Sequence, residues 1–202
     1  MDDLHIIVGL GNPGAEYANT RHNAGFLVLD RLAVHWKADW KFERKFYAFL
    51  ARAGEVRASS LLCKPQTFMN ASGESVAPLA AFYRVAASRC LVVVDDADLP
   101  FGQVRMRPGG SSGGHHGLES IEGRLGTREF PRLRVGIGRR DGKREITGHV
   151  LGKFSQTETG MLELVLARAA SQAESWVRDG IQKAMNQFNG TVESPDNERS
   201  KL

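Results

Sequence analysis

The sequence predicts an α/β fold in which a mixed, mostly parallel twisted sheet lies between helices. Two observations carry this prediction. Short apolar runs of strand length alternate along the chain with longer segments whose apolar residues recur at helical spacing. The 202 residues also contain no linker-like stretch, so a single domain over 1–190 is expected.

Six apolar runs are predicted as strands, at 4–9, 46–53, 58–64, 91–95, 104–107 and 133–138. Three segments are predicted as helices, at 24–36, 72–84 and 118–125. A long helix is predicted to end the domain, because Ser155 and Glu158 have capping-box spacing and one apolar face continues from Leu162 to Phe188. The polar segment 191–202 is predicted to be a tail without fixed structure.

Composition and charge limit the classes of protein that fit. The two cysteines, Cys63 and Cys90, lie in apolar runs without metal-binding or redox spacing and are predicted to be reduced core thiols. No apolar run has the length of a membrane span and the start lacks a secretory signal, so a cytoplasmic protein is expected. Segment 102–153 carries 11 Lys and Arg against 5 Asp and Glu, although the net charge of the chain is only +4. Such a concentration suits a phosphate-rich partner, and solvated surface charge is the other interpretation.

The most informative motif follows the first predicted strand and reads Gly9-Leu10-Gly11-Asn12-Pro13-Gly14. Its glycines match the dinucleotide-binding pattern, but that pattern opens a helix directly and requires an acidic residue after a second strand. Here Pro13 and a further loop intervene, and Asp30, the acidic residue at the right distance, falls in a helical pattern. We therefore interpret the motif as a tight turn that displays Asn12, followed by His22. A carboxamide and an imidazole at the end of a strand are groups suited to hydrolysis.

Two further polar clusters follow predicted strands. In the segment 64–73, either Asn70 or Ser72 caps the next helix, or the segment faces a ligand. The acidic run at 95–98 follows a buried strand, and ligands of open α/β sheets bind at strand ends. One of its carboxylates is therefore expected to face the same crevice as His22. A divalent metal is the alternative for this run, although its spacing matches no metal-binding loop that we recognise.

The glycine-rich run at 109–114 allows two interpretations. It contains G-x-S-x-G at Ser111, followed by Asp141 and His149 in the order of a hydrolase triad. A nucleophile elbow requires a strand directly before the serine and a helix directly after it, whereas proline and doubled glycines surround Ser111. A flexible loop whose backbone amides approach a ligand is the preferred interpretation. The next helix begins with two residues that can cap it and that alone do not indicate a metal site, His115 and His116.

In this order the motifs resemble the bacterial-type peptidyl-tRNA hydrolases. The resemblance runs from residue 6 to about 188 and includes, besides the turn at 9–14, the motifs Thr20-Arg21-His22-Asn23-Ala24-Gly25, Lys64 to Gly73, Asp95 to Pro100, the glycine loop, Arg132-Leu133-Arg134-Val135-Gly136-Ile137-Gly138 and Val150-Leu151-Gly152-Lys153. It implies an enzyme that hydrolyses the ester between a peptide and the 3′ ribose of tRNA and thereby recycles the tRNA. It also implies that the partner is peptidyl-tRNA and that no cofactor, metal or covalent intermediate is used. A monomer is expected.

The same resemblance assigns roles to residues at matching positions. His22 is expected to be the general base that activates water, and Asp95 is expected to orient it and stabilise the imidazolium. Asn12 and Asn70 resemble the carboxamides that hold the substrate and stabilise the oxyanion. The other substrate-binding positions are Tyr17, Met69 and His116. The tRNA phosphate contacts are expected at Arg105, Arg107, Arg132, Arg134 and Lys143.

One position departs from the family pattern. The family has His-Asn-Gly at the start of the helix after the glycine loop, and His116 stands here in place of the asparagine. A neutral imidazole has one donor and one acceptor, so it imitates a carboxamide only in part. We expect altered substrate affinity and pH dependence, with catalysis retained. A non-catalytic RNA-binding member of the family is the alternative function, and the pairing of His22 with Asp95 argues against it.

Overall fold

The structure of the chain is a computed structural model that describes residues 4–52, 60–139 and 146–192. Within these ranges eight strands form one sheet: β1 His5–Gly9, β2 Lys41–Glu43, β3 Ala48–Arg52, β4 Ser60–Pro65, β5 Cys90–Asp96, β6 Gln103–Arg107, β7 Arg132–Gly136 and β8 Gly190–Thr191. The same ranges contain the α-helices α1 Ala24–His35, α2 Ser72–Tyr83, α3 His116–Leu125, α4 Ile146–Val150, α5 Thr159–Asp179 and α6 Ile181–Phe188.

The order of the strands across the sheet is β2-β3-β4-β1-β5-β7-β6-β8. β1 pairs in parallel with β4 and β5, and β5 pairs in parallel with β7. The outer strands β2, β3, β6 and β8 pair antiparallel. The α/β class and the mixed sheet are therefore confirmed, with parallel pairing confined to the four central strands. The carboxyl ends of these four strands lie at one edge of the sheet, which is where open α/β sheets bind ligands.

Helices cover both faces of the sheet, because the central strands are apolar on both sides. Ile7 and Val93 belong to a core that also contains residues of α1, α5 and α6. Ile6 and Val8 belong to a second core with residues of α2 and α3. Cys63 and Cys90 lie in this second core as free thiols, and burial raises the pKa of each. The prediction that the cysteines are core residues is confirmed.

A close contact between two glycines seats α1 on the end of β1. A Cβ atom at Gly9 would lie 2.4 Å from the carbonyl oxygen of Gly25. One at Gly25 would lie 2.4 Å from the backbone nitrogen of Leu10 and 2.4 Å from the carbonyl oxygen of Val93. Neither position has room for a side chain, so α1 begins directly against the end of β1 and the middle of β5. The turn before α1, which carries His22, is thereby brought to that edge.

The C-terminal helix differs from the prediction in one respect. α5 is long, with 21 residues, as predicted, but it ends at Asp179 and α6 follows as a separate helix. Gly180 separates them with φ 85° and ψ 169°, a conformation that glycine adopts without strain. The apolar periodicity continues across Gly180, so the pattern alone did not reveal the break. Neither α5 nor any other described helix is long and apolar enough to cross a membrane.

The first two residues of the predicted tail belong to the fold. Thr191 lies in β8 and pairs with Gln103 of β6. Val192 is buried, and its backbone N–H donates to the carbonyl oxygen of Gly102 at 2.7 Å. The predicted tail therefore started two residues too early, and its remainder, 193–202, lies outside the described residues.

Candidate active site

Three side chains from distant parts of the chain meet at the carboxyl end of β5. His22 lies in a 3₁₀ turn that precedes α1, Asp95 lies in β5, and His115 immediately precedes α3. Nδ1 of His22 is 3.0 Å from Oδ1 of Asp95, and Nε2 of His115 is 3.1 Å from the same oxygen. The structure brings the predicted pair of His22 and Asp95 together. It also adds His115, which sequence reasoning considered only as a helix cap.

Backbone hydrogen bonds fix the proton positions in this cluster. Nδ1 of His115 accepts the N–H groups of Gly117 and Leu118 at 3.2 and 3.4 Å, so it caps α3 and carries its own proton on Nε2. That proton points at Asp95. Because an ionised carboxylate only accepts hydrogen bonds, its contact with Nδ1 of His22 requires a proton on that nitrogen as well. Nε2 of His22 then keeps its lone pair. This is the nitrogen that a general base uses.

Asp95 is ionised although its side chain is only 2% exposed. Burial by itself raises the pKa of a carboxyl group, but the hydrogen bonds from His115 and His22 outweigh burial here. The pKa of Asp95 consequently lies well below its usual range. The carboxylate stays charged at any pH at which an imidazole can act as a base, so it is able to stabilise an imidazolium.

The same three side chains place ligand atoms within 4.8 Å of one another, which raises the question of a metal ion. The hydrogen bonds of His115 count against that use. A metal would have to bind its Nε2, and the proton would then have to move to Nδ1, where two backbone N–H groups already donate. The chemistry of the donor set therefore fits proton transfer better than metal binding.

Asn23 holds the turn that displays Asn12. The side chain of Asn23 accepts the backbone N–H of Asn12 at 2.9 Å and donates to the carbonyl oxygen of Asn12 at 3.0 Å. Oδ1 of Asn12 accepts the backbone N–H of Met69 at 2.8 Å, which leaves its Nδ2 group as the free donor. Sequence reasoning gave Asn23 no role, because this reciprocal pair depends on the paths of two loops.

Asn70 offers a second free carboxamide. It is exposed in a 3₁₀ turn, and its side chain makes no hydrogen bond with any described residue. Ala71, the residue that precedes α2, provides no side-chain cap, and Ser72 instead donates to the carbonyl oxygen of Met69 at 2.8 Å. The capping interpretation of this segment is therefore wrong. Because β1 and β4 are parallel neighbours, Asn12 and Asn70 follow strand ends at the same edge as His22.

The other predicted substrate-binding positions differ in how they reach the site. Met69 is buried in the second core and supports Asn12 through its backbone. The neighbouring Phe68 is exposed, a large apolar side chain that the sequence did not single out. Tyr17 is partly buried, and its carbonyl oxygen accepts the backbone N–H of Thr20 at 3.0 Å. A substrate contact by the Tyr17 side chain stays a prediction.

Arg132 is not available to a phosphate partner. Its side chain is 2% exposed, and Nη1 donates to the carbonyl oxygens of Gly110 and Ser111 at 2.5 and 3.2 Å. Nη1 also contacts Glu122 at 3.3 Å, and Nη2 donates to the carbonyl oxygen of Arg128 at 2.7 Å. The prediction that Arg132 contacts tRNA phosphate is corrected on this ground: its donors anchor the glycine loop instead.

The remaining predicted phosphate contacts have different surroundings. Arg134 donates to Oδ2 of Asp96 at 3.2 Å and to the carbonyl oxygen of Ser111 at 2.9 Å, so much of its guanidinium also supports the glycine loop. Arg105 lies directly opposite Arg134 on β6, and Arg107 lies opposite Arg132. No ion pair joins either β6 arginine to an acidic side chain among the described residues. Lys143 lies outside those residues.

His116 is turned to solvent rather than to the cluster. Its side chain is 77% exposed, and Nδ1 is 3.1 Å from Oε2 of Glu119, one helical turn further along α3. It does not cap the helix, because His115 does. The structure therefore separates the two histidines, and a substrate contact by His116 stays a prediction.

The triad interpretation of the glycine loop is not supported. Nε2 of His149 donates to the carbonyl oxygens of Ile137 and Gly138, at 3.2 and 2.8 Å, and forms no hydrogen bond with a serine among the described residues. The backbone of Ser111 is held by arginines, and Asp141 lies outside the described residues. The dinucleotide interpretation also fails, because a further loop separates Gly14 from the first helical turn at Arg21.

Fold and site together define a class of protein: an α/β enzyme with a His–Asp pair at the carboxyl ends of the central strands of a mixed sheet. The peptidyl-tRNA hydrolase family matches residues 6–197. A peptidyl-tRNA hydrolase from Akkermansia muciniphila is 47% identical over 188 residues, which cover 92% of this chain and 96% of the relative. One from Synechococcus sp. (strain JA-3-3Ab) is 45% identical over 186 residues, which cover 92% of this chain and 83% of the relative.

Solved structures agree with the sequence relatives. The crystal structure of peptidyl-tRNA hydrolase from Acinetobacter baumannii matches with a TM-score of 0.88 and 38% identity, over 95% of this chain and 97% of that chain. A complex of peptidyl-tRNA hydrolase with N-propanol matches with a TM-score of 0.89 and 38% identity, over 96% of this chain and 98% of that chain. The chain belongs to the peptidyl-tRNA hydrolase family.

Proposed function

We propose that this protein hydrolyses the ester bond between a peptidyl group and the 3′ ribose of tRNA, with His22 as the general base. The observation that carries the proposal is the hydrogen bond between Nδ1 of His22 and Oδ1 of Asp95 at 3.0 Å, which leaves Nε2 of His22 to take a proton. Family membership supplies the substrate. No cofactor is required for this chemistry, and we propose that it takes place in the cytosol, where translation leaves its substrate.

The reaction follows from the placement of the protons. Nε2 of His22 takes a proton from a water molecule as the oxygen attacks the ester carbonyl, and Asp95 stabilises the imidazolium that forms. The tetrahedral intermediate carries its negative charge on the former carbonyl oxygen. When the intermediate collapses, the bond to the 3′ oxygen of ribose breaks, and that oxygen receives the proton from His22. The products are a free peptide carboxyl group and tRNA.

The two free carboxamides are the proposed oxyanion donors. Nδ2 of Asn12 is oriented by the bond from Met69 to Oδ1, and Asn70 is exposed at the same edge of the sheet. One such donor is typically worth about 2.7–4 kcal/mol of transition-state stabilisation. The exposed ring of Phe68 next to Met69 offers a flat apolar surface to the substrate.

A direct assay distinguishes this function from the non-catalytic alternative. The purified protein is incubated with N-acyl-aminoacyl-tRNA, and the release of free tRNA is measured. We expect turnover that is proportional to enzyme concentration. Tight binding of tRNA by folded protein without any release would instead support an RNA-binding role. The buried carboxylate shared by two imidazoles favours the enzyme, because binding alone gives no reason to orient a base.

Arg105 and Arg107 are the proposed contacts of the tRNA phosphates. Each faces another arginine across the β6–β7 pair, and like charges placed directly opposite destabilise a sheet. Asp96 and Glu122 offset the charges of the two β7 arginines, whereas the β6 arginines lack such partners among the described residues. A phosphate group would supply the missing negative charge, and a guanidinium binds phosphate in a fixed fork.

We expect Arg107→Ala to weaken tRNA binding and to reduce the slope of log K against log salt by about 0.7–0.9, the value for one lost phosphate contact. The measurement is a titration of tRNA at several salt concentrations. Arg44→Ala is the matched control, because Arg44 is exposed next to β2, at the opposite edge of the sheet. A short model ester without the tRNA body should be cleaved normally by Arg107→Ala. Equal loss on both substrates would place Arg107 in the active site or the fold.

His116→Asn restores the family pattern and tests the departure. If His116 contacts substrate, the exchange changes the donors and acceptors offered at this position from those of an imidazole to those of the family's carboxamide. We expect His116→Asn to bind substrate at least as tightly, because a carboxamide presents donors and an acceptor whose charge does not change with pH. The measurement is KM and kcat against pH for both proteins. Superimposable profiles would mean that His116 only pairs with Glu119 at the surface.

A further inference from the structure

The turn that carries His22 is also held by the buried residue before it. The side chain of Arg21 is 8% exposed, and its Nη2 donates to both carboxylate oxygens of Glu158, at 2.8 and 2.7 Å. Nη1 donates to the carbonyl oxygen of Lys153 at 2.5 Å, and the guanidinium lies 4.9 Å from the centre of the Phe154 ring. One side chain thus joins the 3₁₀ turn that carries His22, hereafter the catalytic turn, to the segment 152–158.

The backbone repeats this connection. The backbone N–H of Arg21 donates to the carbonyl oxygen of Gly152 at 3.0 Å, and Thr20 forms an antiparallel bridge with Lys153. Glu158 is itself fixed at the start of α5, because it accepts the backbone N–H of Ser155 at 2.7 Å. Burial alone raises the pKa of Glu158, but these hydrogen bonds outweigh burial and lower it, so the ion pair stays charged near neutral pH.

Stability alone is a weak reason for this arrangement. Burying an arginine is costly, and Nε of Arg21 has no partner among the described residues. Apolar side chains of similar volume often stabilise a fold as well as a buried ion pair does. A guanidinium, unlike an apolar side chain, also fixes the orientation of the groups that it binds, because its donors form a rigid fork. Here it fixes the orientation of the 3₁₀ turn in which His22 directly follows Arg21.

We propose that Arg21 and Glu158 are a positioning pair that sets the imidazole of His22 against the substrate ester. The inference rests on the proposed function of His22. Neither residue reaches Asp95, Asn12 or His115 by a hydrogen bond, so the pair acts through the turn. Asn23 fixes the same turn from the other side, toward Asn12. The turn that carries His22 is thereby held by two sets of hydrogen bonds, one made by Arg21 and one made by Asn23.

A second ion pair provides a matched control. Nη1 of Arg31 contacts Oε2 of Glu163 at 2.5 Å, and this pair joins α1 to α5. It lies more than two helical turns beyond His22 along α1 and is more exposed than the Arg21–Glu158 pair. Glu158→Gln and Glu163→Gln therefore each remove the carboxylate charge of an arginine–glutamate pair, one directly before α5 and one in its first turns. Only Glu158→Gln disturbs the catalytic turn.

The experiment compares wild type with Arg21→Lys, Glu158→Gln and Glu163→Gln in steady-state hydrolysis of N-acyl-aminoacyl-tRNA, together with tRNA affinity and Tm. We expect kcat to fall about 10-fold or more in Arg21→Lys and Glu158→Gln, because displacement of a reacting group slows the chemical step. KM and tRNA affinity should be nearly unchanged. Glu163→Gln should keep the wild-type kcat. The proton resonance of the His22–Asp95 hydrogen bond should shift in the first two variants and not in the third.

Chemical rescue adds a readout that a purely structural role would not move. In Arg21→Ala, low millimolar guanidinium should restore part of kcat, whereas the same concentration of sodium chloride should not. If Arg21→Ala does not fold, Arg21→Lys and Glu158→Gln still decide the matter. The proposal is overturned by folded variants with wild-type kcat, by an equal loss in Glu163→Gln, or by losses that follow Tm alone. Absence of hydrolysis by the wild type would refute the proposed function itself and not the pair.

Discussion

His22→Ala should abolish most hydrolysis of N-acyl-aminoacyl-tRNA while leaving tRNA affinity nearly intact. The variant lacks the only nitrogen in the described cluster that has both a free lone pair and an orienting carboxylate. We expect kcat to fall by roughly 10²- to 10⁴-fold, the usual contribution of a positioned proton-transfer group. Affinity should persist because binding of nucleic acid comes mainly from phosphate contacts.

A surface histidine serves as the control for this substitution. His35 is exposed at the end of α1, and His35→Ala removes an imidazole without touching the site. Its kcat and tRNA affinity should equal those of the wild type. Near-wild-type turnover in His22→Ala would sink the mechanism, and a parallel loss of tRNA affinity would show that His22 serves mainly in binding.

Asp95→Asn should lose roughly 100-fold in kcat or more, because a neutral amide does not stabilise the imidazolium and permits the wrong tautomer of His22.

The pH–rate profile of the wild type should also show a loss of activity at acidic pH, and this loss should not arise from protonation of Asp95. The pKa of Asp95 lies well below its usual range, so its carboxylate stays ionised where the imidazole becomes protonated. Because folding lowers the pKa of Asp95, the stability that this residue contributes is present above its unfolded pKa of about 3.9. This stability is lost as the pH falls below that value.

Two neighbouring variants sharpen this test. Asp98→Asn changes the same kind of residue three positions later, where it forms an exposed ion pair with Arg139, and it should keep the wild-type rate. His115→Asn retains a good helix cap but is too short to reach Asp95, so any change in its pH profile reports the second imidazole alone. Wild-type kcat in Asp95→Asn would contradict the orienting role.

Periodicity was sufficient for the elements that bury much apolar surface. β1, β4, β5 and α1 were predicted within two residues at each end, because their patterns reflect burial in one or both of the two cores that flank the sheet. β2, β8 and α4 were missed, since each is short and has no periodic pattern of its own. The break at Gly180 was missed for a different reason: a glycine inside a continuous apolar pattern does not reveal its φ angle.

The sequence indicated site residues whose own side chains suit the proposed chemistry. It did not indicate residues that act by holding neighbouring groups in place. The motif itself singled out Asn12 and His22, whereas the resemblance to the family assigned roles to Asp95 and Asn70; the structure brings His22 and Asp95 into contact. The burial of Arg132 was missed, because alternate positions on β7 look alike in sequence whether the glycine loop lies over them or not. The link from His115 to Asp95 was missed because it joins residues 20 apart through a loop.

The position of β1 between β4 and β5 has a consequence for how the chain acquires activity. Its parallel partners lie more than 50 residues away in sequence, so both pairings close long loops, which is slow. His22 arrives with β1 and α1, and its carboxylate arrives only when β5 docks beside β1. A partly folded chain therefore holds a base without its partner. Esterase competence therefore depends on the pairing of β5 with β1 and is not acquired by any local segment.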